Sequence, residues 1–115
     1  MPVIFVYGIP DKYPLEKLGE FCKTLQNAGQ DNPSLRLRPN QVSVFFPRDS
    51  LQEGLSEEII IFVEGFFDYA SRTIQIMNEY AETLGKIAKK FFPDAFVECF
   101  IETFKKMEQG FWKSA

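Results

Sequence analysis

The chain alternates short, dense apolar runs with longer segments whose apolar residues recur every three or four positions. Val3 to Gly8 is an apolar, β-prone run closed by Gly8 and Pro10, and it predicts a strand covered on both faces. Pro14 to Ala28 carries Leu15, Leu18, Cys22, Leu25 and Ala28 at helical spacing, with Pro14 suited to the first turn and Gly29 to the end. Residues 31–39 read as a loop, and Gln41 to Phe46 as a second strand stopped by Pro47. The order then recurs. Glu58 to Glu64 predicts a strand, Ser71 to Phe92 a long helix striped by Ile74, Met77, Ala81, Leu84, Ala88 and Phe91, and Phe96 to Ile101 a last strand. From Glu102 onward the pattern weakens, with a turn or edge strand expected around Gly110, Phe111 and Trp112.

The second half repeats the first in sequence as well as in pattern. Ile4, Phe5, Val6, Gly8 and Asp11 match Ile61, Phe62, Val63, Gly65 and Asp68 in order. Glu20, Thr24 and Leu25 then meet Glu79, Thr83 and Leu84, and the Pro39 to Phe46 segment resembles Pro93 to Ile101 with one insertion. Three matches in register point to duplication. The expectation is one domain over residues 1–115, with repeat 1 about 2–56 and repeat 2 about 57–115. Each repeat is a β-α-β unit, whose helical crossover joins parallel strands. The fold class is α/β (α+β): a duplicated β-α-β forming a four-stranded mixed sheet with two helices on one face. The strands are apolar on both parities, as at Phe5-Val6, Phe45-Phe46 and Ile60-Ile61. Two helices cover one face, so the other needs a partner, and a homo-oligomer is expected.

Composition narrows the chemistry. The 115 residues include thirteen phenylalanines and no histidine. This excludes Ser-His-Asp and Cys-His triads, His-ligated zinc and a histidine proton shuttle. A net charge of −3 and a pI near 5.0 argue against nucleic-acid and anionic-membrane partners. The apolar runs fall well short of the ~20 residues of a membrane span, and the start lacks a signal peptide's basic region. A cytoplasmic protein is expected, with Cys22 and Cys99 as reduced, buried thiols.

A duplicated β-α-β of this length opening Met1-Pro2 resembles the tautomerase superfamily. The similarity is greatest to its fused-repeat members, those like macrophage migration inhibitory factor and 5-carboxymethyl-2-hydroxymuconate isomerase. The resemblance covers the whole layout, and its defining residue is Pro2. It implies loss of Met1, a homotrimer with a pocket at each subunit interface, and cofactor-free chemistry with no metal. Pro2 would then be a rigid secondary amine at the head of a buried strand. Desolvation disfavours its ammonium form and makes it a general base suited to neutral pH. The implied function is tautomerisation of a small 2-oxo acid or enol. A hydratase or decarboxylase is the variant within that class.

Such a site needs a cation for the substrate carboxylate. The candidates are Arg38, Lys12 and Arg36, with Arg72 at the opening of the second helix as a fourth. Lys12 stands where the short tautomerases carry an arginine, and Arg38 lies near the lysine that precedes a proline in the inhibitory-factor group. Phe66 is a candidate for an aromatic wall, with Phe67, Phe111 and Trp112 beside it in this role. Departures are Ser43, where a short tautomerase has a catalytic arginine, and Val97 and Cys99, which align with pocket tyrosine and asparagine. Glu64 and Glu98 are polar residues in otherwise apolar strands. Two other readings follow. One is a non-catalytic trimeric binding or interaction protein of the same fold. The other is a ferredoxin-like ligand-binding module, with antiparallel pairing between the repeats.

Overall fold

Each apolar run becomes one element of the computed structural model, which describes residues 2–48, 50–54, 57–67, 69–104 and 112–114. The order is β1 (Val3–Tyr7), α1 (Leu15–Asn27), two 3₁₀ turns (Pro33–Leu35 and Pro39–Gln41), β2 (Ser43–Phe45), β3 (Glu58–Phe67), α2 (Ile74–Phe91) and β4 (Phe96–Phe104). The four strands form one mixed sheet in the order β2-β1-β3-β4. β1 runs parallel to β2, β3 runs parallel to β4, and β1 meets β3 antiparallel. The two strands of each β-α-β are therefore direct neighbours. In a ferredoxin-like sheet another strand lies between them, so strand order, and not the antiparallel β1–β3 pairing, sets that reading aside.

Local chemistry moves several boundaries. β2 is shorter than the Gln41 to Phe46 run because residues 39–41 coil into a 3₁₀ turn, closed by the Val42 N–H donating to the Pro39 carbonyl at 3.3 Å. α2 starts at Ile74, the first residue of its apolar stripe and three residues after the expected start at Ser71. Thr73 caps it, its hydroxyl accepting from the Ile76 N–H at 3.2 Å. Lys89 and Lys90 lie in the last turn, where the helix dipole favours cations. β3 runs on through Gly65, whose φ of 68° accompanies a register shift between Val63 and Phe66, and pairing resumes at Phe66↔Thr103. Gly8, the matching glycine of the first half, has φ 96°, and a Cβ there would stand 2.1 Å from the Glu58 carbonyl oxygen. Only glycine lets the chain turn out of β1 this close to the start of β3. The turn expected around Gly110 and Phe111 lies outside the described residues; Trp112 is exposed.

Strand alternation sorts the sheet into two faces. Ile4, Val6, Ile59, Ile61 and Val63 are buried beneath the helices with Phe21 and Leu25 of α1 and Tyr80, Leu84 and Ala88 of α2. Each such apolar side chain contributes ~1.5–3 kcal/mol when fully removed from water. Phe21 joins the helices, its ring 5.1 Å from that of Phe91 and 5.4 Å from that of Phe92. Among the described residues, no layer lies over the opposite face. There the register sets Phe45, Phe5, Phe62 and Phe100 side by side, one from each strand. Phe5 stacks on Phe45 at 5.9 Å and Phe62 on Phe100 at 5.3 Å. Phe45 is 54% exposed and Phe100 46%, which makes this row an uncovered apolar surface.

Candidate functional site

Pro2 precedes β1 and is fully buried. Its carbonyl accepts from the Ser43 N–H at 3.2 Å, which ties the head of β1 to the head of β2. Because β3 runs antiparallel to β1, its far end, from Glu64 to Phe67, comes to the same edge. The loop from α1 to β2 arrives there as well, carrying Arg36 and Arg38.

The loop is held by its own turns. Asn32 Oδ1 accepts from the Ser34 N–H at 3.2 Å, and Leu35 buries its side chain. Arg36 follows in the left-handed region at φ 55°, a rare conformation for a residue with a side chain. Arg38 is exposed, and its N–H donates to Gln41 Oε1 at 3.1 Å as the chain turns toward β2.

Arg72 fastens this loop to the second half. It is 5% exposed, where a solvated surface cation is the ordinary expectation for an arginine before a helix. Its Nε donates to the Leu35 carbonyl at 2.8 Å and its Nη1 to the Phe67 carbonyl at 2.5 Å. Its guanidinium lies 4.0 Å from the Phe66 ring centre and 4.5 Å from that of Tyr69. Arg36 lies over the same Tyr69 ring at 4.6 Å. Ser71 adds a bond from its hydroxyl to the Ser34 carbonyl at 2.9 Å. Burial holds the Arg72 guanidinium below its ordinary pKa; Tyr69 opposes that shift and Arg36 adds to it.

The structure thus brings Arg36 together with Phe66 through Arg72 and Tyr69, and places Arg38 in the segment leading to the strand that pairs with Pro2. Phe66 is fully buried, lying against Arg72 and packed on the Tyr80 ring at 5.7 Å, so within one chain it is part of a floor and not an open wall. Lys12 follows the other end of β1. The four residue steps of β1 alone separate the two ends by ~13 Å.

Sequence reasoning undervalued Arg72 and passed over Tyr69 and Tyr80. The signal available was the spacing of Phe66, Tyr69 and Arg72 between a strand and a helix. The one-residue assignment in β4 also changes. Val97 and Cys99 pair with Ile59 and Ile61 and pack toward the core, whereas Glu98 and Phe100 point to the uncovered face. The uncovered face of β4 therefore carries a carboxylate and an aromatic ring at these two positions. Burial pushes the Cys99 thiol up to about 12, which makes it a poor nucleophile at neutral pH. Burial also raises the Tyr80 hydroxyl, which has no hydrogen-bond partner among the described residues.

A cleft of about 660 Å³ opens at the end of the sheet away from Pro2, lined by Tyr7, Pro10, Arg48, Leu51, Glu53 and Ile60 among others. Arg48 is committed there, paired with Asp11 and donating to the Pro10 carbonyl at 2.9 Å. Among the described residues no group of three His, Cys, Asp or Glu side chains is placed to hold a metal, and no helix is long and apolar enough to cross a membrane.

No protein-family profile and no curated protein matches the chain. Solved structures do. Native fused 4-OT superposes with a TM-score of 0.71 at 16% identity, over 94% of this chain and 91% of that one. A member of the cis-3-chloroacrylic acid dehalogenase family, N1, gives 0.68 at 16% identity over 93% and 78%. A macrophage migration inhibitory factor-like protein from Entamoeba histolytica gives 0.68 at 7% identity over 98% and 96%. With this strand order, two helices on one face and more than nine-tenths of its own length superposed on each of these three structures, the chain has the tautomerase-superfamily fold.

Proposed function

We propose that the protein is a cofactor-independent tautomerase or isomerase acting on a small 2-oxo acid or enol, with Pro2 as general base once Met1 is removed. The observation that carries this reading is the buried position of Pro2 at the head of β1, on the edge where the arginine loop and the end of β3 converge. With its nitrogen freed, a ring held in this dry setting disfavours its own protonation. It can take a proton alpha to a carbonyl and return it at the conjugated position, so that one group serves as base and then as acid. Arg36 and Arg38 supply charge for the substrate carboxylate. Phe66 contributes to the apolar floor beneath Arg72.

The assembly proposed is a homotrimer. The four-phenylalanine row is the surface it would cover, and fused 4-OT, of the same fold, forms symmetric and asymmetric trimers. In that assembly Lys12 and Glu98 of one subunit would serve a neighbour's Pro2 and not their own.

The test follows the ultraviolet absorbance of phenylenolpyruvate and of 2-hydroxymuconate with wild-type protein and Pro2→Ala. Turnover by wild type and loss of at least about a hundredfold in the variant is the expected result. Equal rates would remove Pro2 from the chemistry. A second reading, a non-catalytic trimeric binding protein, draws on the large open cleft standing at the end away from Pro2. It gains if neither substrate turns over.

A further inference from the structure

The cleft of about 660 Å³ at the end of the sheet away from Pro2 takes no part in the proposed chemistry, and its volume falls within the ~300–1,000 Å³ of small-molecule sites. One wall is fastened in place. After β2, Arg48 pairs with Asp11 and donates to the carbonyls of Ile9 at 3.3 Å and Pro10 at 2.9 Å. Gln52 Nε2 donates to the same Ile9 carbonyl at 3.2 Å. Pro10 and Pro47 stiffen the two segments that these bonds join. The bonds preform the cleft, and they also commit its donors. Asp11 answers the charge of Arg48, and the Gln52 amide is turned to backbone. The other charged side chains of the lining are the carboxylates Glu53, Glu57 and Glu58. Glu53 and Glu57 are exposed, and neither has an ion-pair partner among the described residues. Glu58 is half-buried, its carboxylate so close to Gly54 that a Cβ on that residue would collide with it. Glycine at 54 thus admits a third carboxylate to the wall. Beside these groups Tyr7 is 43% exposed and Leu51 69%, which leaves apolar surface for a ligand to cover.

We infer that this cleft binds a small organic cation, a protonated amine carried on an apolar body. An ammonium group has three N–H donors and no acceptor, and carboxylates take charge-assisted bonds of ~2.7–2.9 Å from it. The apolar body lies on Leu51 and on the Tyr7 ring, which is braced edge-on against Phe62 at 5.9 Å between ring centres. An aromatic ring also attracts a cation directly. Anions are turned away. A 2-oxo acid, the substrate class proposed for Pro2, would meet three carboxylates here, and the one guanidinium of the lining is already paired. The two ends of the sheet therefore select opposite charges. The inference goes beyond the proposed function and does not require Pro2 to act as a base.

Isothermal titration of the full chain with 2-phenylethylamine, 2-phenylethanol and phenylacetate at pH 7.5 and low salt tests it. The three probes share a ring and differ in charge, and the amine is protonated at this pH. The expected result is binding of the amine at least about tenfold tighter than the alcohol, with phenylacetate weakest. Added salt should weaken the amine and leave the alcohol unchanged. Glu53→Gln and Glu57→Gln should each lower amine affinity about threefold, and the double variant should bring it close to that of the alcohol. Both positions are exposed, so the melting temperature of the free protein should not move. Leu51→Ser should weaken amine and alcohol alike, which reads the apolar wall apart from the charge. The same titration on Pro2→Ala should match wild type, so a failure of the base at Pro2 and a failure of this site are told apart. Absence of amine binding, an amine bound no tighter than the alcohol, or binding untouched in the double glutamine variant would overturn the inference.

Discussion

Tyr80→Phe should make the protein more stable, although it deletes a polar group and adds nothing. Tyr80 is 2% exposed, packs its ring on Phe66, and has a hydroxyl without a hydrogen-bond partner among the described residues. A buried donor left unsatisfied costs ~1–3 kcal/mol, because the unfolded chain gives it to water. Phenylalanine keeps the ring contacts and removes the cost. Part of the gain is lost to the small void left by the oxygen, so the expected net is about +1 kcal/mol. For a chain of this size that is a rise of ~4 °C in melting temperature. The pH dependence carries the same signature. Burial raises the Tyr80 pKa above its ordinary 10.0, so above pH 10 the unfolded chain gives up a proton that the folded chain keeps. Stability is fully present below pH 10 and falls as pH rises beyond it. Urea titrations of both proteins, at one protein concentration from pH 7 to 11, read both effects. The variant should be more stable at pH 7 and decline less above pH 10. A loss of 1 kcal/mol or more at pH 7 would show that the hydroxyl is satisfied and would refute the reasoning.

Other changes have equally definite signs. Gly8→Ala puts a Cβ 2.1 Å from the Glu58 carbonyl oxygen at a φ of 96°, and should cost about 2 kcal/mol or more in a denaturant titration. Gly19→Ala in α1 meets nothing within 4 Å and should instead stabilise by ~0.5–1 kcal/mol in the same assay. The Cys99 thiol, pushed by burial from 9.0 to about 12, keeps its proton in the fold while the unfolded thiol ionises; stability should fall from pH 9 upward, and Cys99→Ala should flatten that limb. Phe62→Lys places a charge in the middle of the phenylalanine row, and light scattering should show the proposed trimer reduced to monomer, with the helical circular dichroism retained.

Much of this architecture was legible in the chain because its signals are local. The apolar runs, the three- and four-residue stripes and the punctuation by Pro14, Pro47 and Pro93 depend on neighbours in sequence, and each became an element. The doubly apolar strands likewise announced a sheet with one uncovered face. What was not legible depends on register and on distant partners. In a strand, a step of one residue swaps the two faces: Val97 and Cys99, which the resemblance aligns with pocket residues, pack toward the core, and Glu98 and Phe100 hold the outward positions. The row of four phenylalanines needed three strand registers at once. Arg72 reads in sequence as a surface charge, since nothing adjacent shows that it will donate to a carbonyl 37 residues away. Arg36 stands in a left-handed turn that no glycine or asparagine at that position advertised.

The proposed chemistry depends on one bond. While Met1 is attached, the Pro2 nitrogen is a tertiary amide with no basic lone pair, and no neighbouring charge can change that. The intact mass of the protein purified without a terminal tag measures this bond directly. The account expects the mass of the chain lacking one methionine, with Pro2 as the first residue on sequencing. A protein that retains Met1 throughout would contradict the role given to Pro2, whatever else the fold shares with its structural relatives.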